Sequence, residues 1–421
     1  MNRSLVLGGL AATQLLAAIV TQVLVISLVG PGARTDALIA AQTIPLLLVS
    51  VLATPLVVVW QPRFVLAAPD DSPFRAEQGL AQGQSLLLTG GFALALGLSA
   101  PWWMPWAFPG LAPGVGQLAA HLAQVLCIGV PLNAQGLLLA AASRAREQFV
   151  APEFVLGATA ILAALAALWV VPRYDVTGAA WLSTVRAAVA CLALYLVAGH
   201  SWPRPLRALR DRAAWQRLRP MLAGSAVYKF GPLVDRYWAS QAPAGGLTAL
   251  GLASLAVGST AQVIERAVTV PATPGLAALA AEERHTELLA RVRRVLLLAL
   301  GLSLGILVAL VVLRPSLLGA LRLLDFDAGI AGQVWWLSVL LIGFLYVAAC
   351  GSLPIAAFVA LGDARTPVAI SIVAFVAGVA LKSAGFVVGG LPMLAVATSI
   401  YYVGNLLAVS NALRRRLHGH R

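Results

Sequence analysis

Acidic side chains are scarce. The chain has 16 Asp and Glu against 29 Lys and Arg in 421 residues, and only 11% of it is charged. A soluble domain carries roughly 25% charged residues. With 60% of the residues hydrophobic, water could not cover the apolar surface, so lipid is the implied solvent. Cysteine is nearly absent. Cys127, Cys191 and Cys350 lie scattered in apolar segments, which excludes a disulfide framework or a thiolate metal site. The histidines His121, His200, His285, His418 and His420 share no ligand spacing. No nucleophile–base pairing, glycine-rich phosphate loop or zinc motif is present. These absences exclude an ATPase engine within the chain and predict no resident cofactor. The net charge of +13 would suit nucleic acid, but the basic residues cluster at the ends of apolar runs rather than on one polar face. No nucleic-acid partner is expected.

What is present is a succession of long apolar runs. A bilayer-spanning helix needs roughly 20 such residues, and backbone groups in hydrocarbon must be satisfied within helices or closed barrels. The runs are rich in Leu, Ala and Val and do not alternate, so helices are predicted. The fold class is an all-α polytopic membrane protein of twelve spans, at roughly 5–29, 36–60, 79–101, 117–142, 150–171, 176–199, 219–240, 247–275, 292–313, 333–361, 366–388 and 390–412. The run after Arg3 is read as the first retained span rather than a cleaved signal peptide. Placing both termini inside puts 20 Arg in cytoplasmic segments against 4 outside (Arg34, Arg173, Arg314 and Arg322), the sense of the positive-inside rule. Trp102, Trp103, Trp106, Trp335 and Trp336 then fall in an outer aromatic belt. Asp325 and Asp327 fall on a solvated outer loop.

The basic stretch 200–218 divides the chain into an N-terminal six-helix lobe, 1–199, and a C-terminal six-helix lobe, 219–421. The halves match weakly. At an offset of 212, Pro31, Ala37, Leu38, Ala41, Val51, Val58 and Pro62 face Pro243, Ala249, Leu250, Ala253, Val263, Val270 and Pro274. Ala145 and Arg146 face Ala364 and Arg365 at 219, and Ser183 and Thr184 face Thr398 and Ser399 at 215. Six spans is an even number, so the repeats would run parallel about an axis along the membrane normal. Transporters use that architecture, with the substrate path between the repeats.

Ionisable residues inside spans are costly and tend to face cavities. Arg186, Lys229, Arg236, Arg266 and Lys382 form a basic set suited to an anionic head group, and Asp235 and Glu265 are candidate coupling carboxylates. Lys229 and Arg236 lie seven apart on one face of the seventh span, and Gly231-Pro232 between them predicts a kink. Asp235 and Arg236 could instead neutralise Glu265 and Arg266 across adjacent helices. Asp36 stands in the first turn of the second span with Thr35 as its predicted N-cap. A capping role alone would account for it.

Several stretches resemble a known family. Residues 30–45, GPGARTDALIAAQTIP, are similar to the first outer turn and second helix of murein lipid II flippases, which show a Gly-x-Gly-x-x-Thr-Asp-Ala pattern. LGDARTP at 361–367 is similar to their loop after the tenth helix. LAVATSI at 394–400, with Asn405 and the basic end around Arg414, Arg415 and Arg416, resembles their twelfth helix. Val234, Asp235 and Arg236 resemble the seventh helix of polysaccharide flippases. The resemblance implies the multidrug/oligosaccharidyl-lipid/polysaccharide exporter superfamily, with two pseudo-symmetric six-helix lobes around a central cavity and alternating access. It carries Asp36 over as a gating residue. Spans 5–29 and 36–60 hold no Arg or Lys, where the lipid II flippases place several arginines, and twelve spans compare with their usual fourteen. A related lipid-linked saccharide therefore stands beside lipid II as substrate.

The implied function is a flippase of the inner membrane, not an enzyme, coupled to a proton or sodium gradient or the membrane potential. Its partners would be membrane lipids, the lipid-linked saccharide and envelope-biosynthesis proteins. A drug/cation antiporter, a membrane glycosyltransferase or ligase, and a non-transporting scaffold are the alternatives.

Overall fold

The computed structural model describes residues 3–199, 201–324, 326–363 and 365–418. Asp325, His200, His420 and Ala364, named above, lie outside that set, as does the side chain of His418. Eight helical stretches among the described residues are long and apolar enough to cross a membrane, or nine if one bent pair counts as a span. Two of the eight are double. Val150–Ala198 has 49 residues and breaks at Asp175, and Arg365–His418 has 54 and breaks at Gly389 and Gly390. At 1.5 Å per residue each exceeds about 70 Å, twice a hydrocarbon core of about 30 Å. Dividing both, and counting the bent third helix and the interrupted seventh, gives the twelve helices expected. In order they are Arg3–Val29, Ala33–Ala67, Asp71–Leu98, Pro113–Ala145, 150–174, 176–198, 212–239, Gly246–Ala281, His285–Val312, 328–360, 365–388 and 391–418.

Local sequence explains several ends and irregularities. The second helix starts earlier than expected: Gly32, not Thr35, is its N-cap. Thr35 sits three residues on and accepts the Gly32 N–H at 2.8 Å, so it closes the cap from inside the first turn. Pro55 has no N–H for the preceding turn, and Val49–Ala53 widens into a π-turn. Pro271 follows a second π-turn, Glu265–Thr269, in the same way.

The two repeats are visible in backbone detail. The fourth helix, Pro113–Ala145, and the tenth, 328–360, lie 215 residues apart at both ends. Both close with the same cap. Gln148 N–H bonds the Ser143 carbonyl at 3.0 Å and Asp363 N–H bonds the Phe358 carbonyl at 2.9 Å, with Glu147 and Gly362 at positive φ. The breaks at Asp175 (φ 56, ψ −148) and Gly390 (φ 62, ψ −147) repeat at the same spacing. So does a bond between helices: Thr184 Oγ1 donates to the Val125 carbonyl at 3.1 Å, and Ser399 Oγ to the Leu340 carbonyl at 2.7 Å. The register is therefore 215, and the offset of 219 read around Arg146 does not hold. The π-turns lie 216 apart, so the 212 offset fails as well. Small apolar residues recur too often here for identity to fix a register.

Packing divides the chain into two compact units, Met1–Leu233 and Val234–Arg421. The first is organised around the fourth helix, against which the second, fifth and sixth pack. The second is organised around the tenth. The division falls after the basic stretch, because residues 201–211 are folded onto the first unit. Ser201 Oγ donates to the Arg75 carbonyl at 2.7 Å and Arg204 N–H to the Gly79 carbonyl at 2.8 Å. Arg63 joins Glu77 at 2.7 Å and Asp211 at 2.6 Å and stacks over Trp60 at 4.3 Å.

This anchor makes an acid-sensitive contact. Burial raises the Asp211 carboxyl, but the Ala214 N–H and the Arg63 guanidinium outweigh it and hold the group below the ordinary carboxylate value. A depressed carboxylate contributes stability above its unfolded value, and the contribution is lost as pH falls through the folded value. Arg63→Ala is expected to cost about 1–3 kcal/mol and to speed tryptic cleavage at Arg207 and Arg210. As the pH is lowered below 4, the melting temperature of the parent chain should fall more than that of the variant. Equal cleavage rates at neutral pH would show that Arg63 does not hold the stretch.

Candidate functional site

Within the membrane-spanning part of the second unit lies a charge pair, Asp235 and Lys382, and the local sequence places each member. Pro232 cannot donate a helical hydrogen bond, so the seventh helix stops at Lys229 and restarts at Gly231. The Leu233 N–H bonds the Phe230 carbonyl at 3.0 Å across the break. Asp235 follows one turn into the new segment. On the eleventh helix, Gly378, Lys382, Gly385 and Gly389 recur at helical spacing on one stripe. A Cβ on Gly378 would overlap the Tyr401 ring, and one on Gly385 would meet the Met393 carbonyl at 2.8 Å. The glycines let the twelfth helix approach closely, and Lys382 sits in that seam with 2% of its side chain exposed.

Lys382 Nζ lies 2.8 Å from Asp235 Oδ1 and 3.0 Å from Oδ2. Thr398 Oγ1 donates to Oδ1 at 3.0 Å. The ring centroids of Tyr401 and Tyr402 stand 5.1 and 5.6 Å from the ammonium, within range of cation–π attraction. Beside the pair, Trp238 Nε1 donates to Ser383 Oγ at 3.0 Å and its ring packs on Phe386 at 5.3 Å. Helices seven, eleven and twelve are thus joined by polar bonds. Asp235 and Lys382 compensate one another, and separating the pair would leave two charges uncompensated in a low-dielectric setting.

The other charged residues singled out from the sequence fall elsewhere. Lys382 was grouped with the anion-binding cations, but its partner is Asp235. Of the expected Asp235, Arg236, Glu265 and Arg266 network, the Asp235 charge acts on neighbouring Arg236, while Glu265 accepts from Ser352 Oγ at 3.0 Å. Arg266 is exposed and Arg236 half-buried. Arg186 is half-buried on the sixth helix. Lys229 donates to the Ser50 carbonyl inside the π-turn of the second helix. Asp36 is buried, 5% exposed, in the first turn of the second helix. Asp327 caps the tenth helix by accepting the Gly329 N–H at 2.9 Å. Among the described residues no group of His, Cys, Asp or Glu could hold a metal ion.

Thr398, Tyr401 and Tyr402 were not recognised as site residues from sequence. Their i, i+3, i+4 spacing within an apolar run was the available signal. At the 215 register, Lys382, Thr398 and Tyr401 correspond to Ala167, Ser183 and Arg186 of the first repeat. The lysine is therefore particular to the second repeat, and Arg186 takes the place of Tyr401.

Truncating either partner should be costly and removing both much less so. Lys382→Met and Asp235→Asn are each expected to destabilise the protein by about 3–5 kcal/mol, and the double variant by less than either. Thermal unfolding in detergent measures this cycle. Additive losses would mean that the two groups do not interact.

The similarities to known proteins fit this fold. The family described as "Lipid II flippase MurJ" matches residues 25–421, and no curated protein matches the chain. A lipid II flippase solved in an inward closed conformation has a TM-score of 0.78 at 13% identity, covering 97% of this chain and 87% of that one. An inward-facing multidrug-resistance transporter of the MATE family has a TM-score of 0.72 at 16% identity, covering 96% and 95%. A transporter of the same superfamily from Pyrococcus furiosus, described as having a binding pocket of reversed polarity, has a TM-score of 0.67 at 14% identity, covering 99% and 94%. At these identities the structures show the fold. The family match extends over nearly the whole sequence, and the chain belongs to the lipid II flippase family.

Proposed function

We propose, from that membership, that the protein moves an anionic lipid-linked saccharide of the peptidoglycan-precursor type across the inner membrane by alternating access, with Asp235 and Lys382 as its coupling pair. The family match over residues 25–421 carries the reading. The protein then performs no bond chemistry. Its work is to shelter a charged head group while the lipid tail stays in hydrocarbon. Arg236 and Arg266 are the proposed contacts for that head group. Lys382 leaves the set because Asp235 already neutralises it.

The pair suits coupling for an energetic reason. A lone charge at mid-bilayer costs about 3 kcal/mol on insertion scales, so the paired arrangement resists separation. A proton or sodium ion arriving at Asp235 would release Lys382 and loosen the joint between helices seven, eleven and twelve. An ion gradient could in this way bias one conformation over another. The distribution of 20 Arg to 4 supports an orientation with both termini cytoplasmic.

Proteoliposomes carrying fluorescent lipid II test both parts. A lost charge-assisted bond is worth about 1.5–3 kcal/mol, so Arg236→Ala and Arg266→Ala are each expected to slow head-group translocation about ten- to a hundredfold. Unchanged rates in both would remove the head-group assignment. Asp235→Asn should retain lipid II binding but lose any acceleration by an imposed proton or sodium gradient. Acceleration equal to that of the parent chain would remove the coupling assignment alone.

A further inference from the structure

The stretch between the two repeats presents a second surface with its own chemistry. Residues 201–212 run as a strap along the start of the third helix, fastened by the Ser201 and Arg204 bonds described above. Gly79 and Gly83 form its bed. A Cβ on Gly79 would meet the Trp202 carbonyl at 2.7 Å, and one on Gly83 the Arg204 carbonyl carbon at 2.5 Å. The short helix Pro205–Arg210 turns Ala208 inward, where it is fully buried. Its outward face is therefore set by the docking, and that face is unusual. Trp202 is 82% exposed, Leu206 77% and Leu209 55%, while Arg207 and Arg210 are exposed alongside them. Arg212 follows at the start of the next helix, also exposed.

Large apolar side chains beside arginines on a fixed surface suit neither bulk water nor hydrocarbon. They suit the zone between the two, where a Trp ring and Leu side chains enter the acyl boundary and guanidinium groups meet phosphates. The strap lies at the ends of the third and seventh helices, where apolar spans give way to polar sequence. No acidic residue on residues 201–210 offsets the arginines. Asp211 is already held by Arg63. The surface charge is thus positive and available. We infer that residues 201–212 form an interfacial anchor that binds the phosphate head groups of anionic phospholipids in the surrounding leaflet, with Trp202, Leu206 and Leu209 inserted among their chains. The anchor ties the junction of the two repeats to the composition of the membrane. The assignment stands independently of the transported substrate.

The full-length protein in nanodiscs of phosphatidylcholine, with or without phosphatidylglycerol, tests it. The fluorescence difference between the parent chain and Trp202→Phe isolates the contribution of Trp202. It should be quenched by lipids brominated on their acyl chains. A water-like, unquenched Trp202 signal in both discs would overturn the anchor. Competition between brominated phosphatidylglycerol and plain phosphatidylcholine should show a preference for the anionic lipid at Trp202. In Arg207→Gln/Arg210→Gln that preference should fall about fivefold per arginine. Both side chains are exposed, and an unchanged melting temperature in phosphatidylcholine discs confirms that the variant is folded. A variant with the parent's preference would overturn the head-group contact. Displacement of phosphatidylglycerol by added lipid II would assign the arginines to the transported lipid and overturn the proposal as well.

Discussion

Hydrocarbon offers no partner to a peptide N–H or to a charge, and the architecture of this chain follows from that constraint. It forces the backbone into helices. It also makes each interruption conspicuous, because a break must be stabilised locally. At Asp175 the break is stabilised by the residue's own side chain, which accepts the Val176 N–H at 2.8 Å, and by Arg34 at 2.6 Å. At Ser50, inside a π-turn, a lysine ammonium binds the carbonyl. At Phe230 a proline dictates where the helix ends. The same constraint couples Asp235 and Lys382, since either charge alone in lipid is costly.

The internal repeat shows how function is laid on such a scaffold. Caps, breaks and one bond between helices recur at a spacing of 215 residues, so the frame was copied whole. The charge pair was not. Ala167 stands where the second repeat has Lys382, and a glycine bed that serves close helix packing became the housing of an ammonium group. Asymmetry between repeats is what allows a ligand or an ion to act on one of them selectively.

Much of this was legible in the sequence, for reasons that can be named. Apolar run length fixed the twelve helices, because spans are set by membrane thickness rather than by neighbours. The Thr-Asp-Ala stretch and the basic twelfth-helix end pointed to the family. Gly231-Pro232 foretold the break in the seventh helix. What could not be read was partnership. Lys382 was visible as a membrane cation, but its distance of 147 positions from Asp235 left the pairing open, and neighbouring Arg236 was an equally available candidate. Thr398 and the two tyrosines looked like ordinary helix fillers. The stretch 200–218 read as a linker because arginine-rich composition describes loops, while the docking of residues 201–212 rests on two glycines whose meaning is purely steric.

The separation of the pair along the chain also bears on how the protein is made. Asp235 leaves the ribosome 147 residues ahead of Lys382, a lag of about 7–30 s at ordinary rates of synthesis. During that interval the carboxyl has no lysine to meet. The joint between the seventh and eleventh helices can close only when the eleventh arrives. Assembly of the second repeat is therefore ordered by its last helices, and a nascent chain halted between them would hold an acid stranded at the edge of the bilayer.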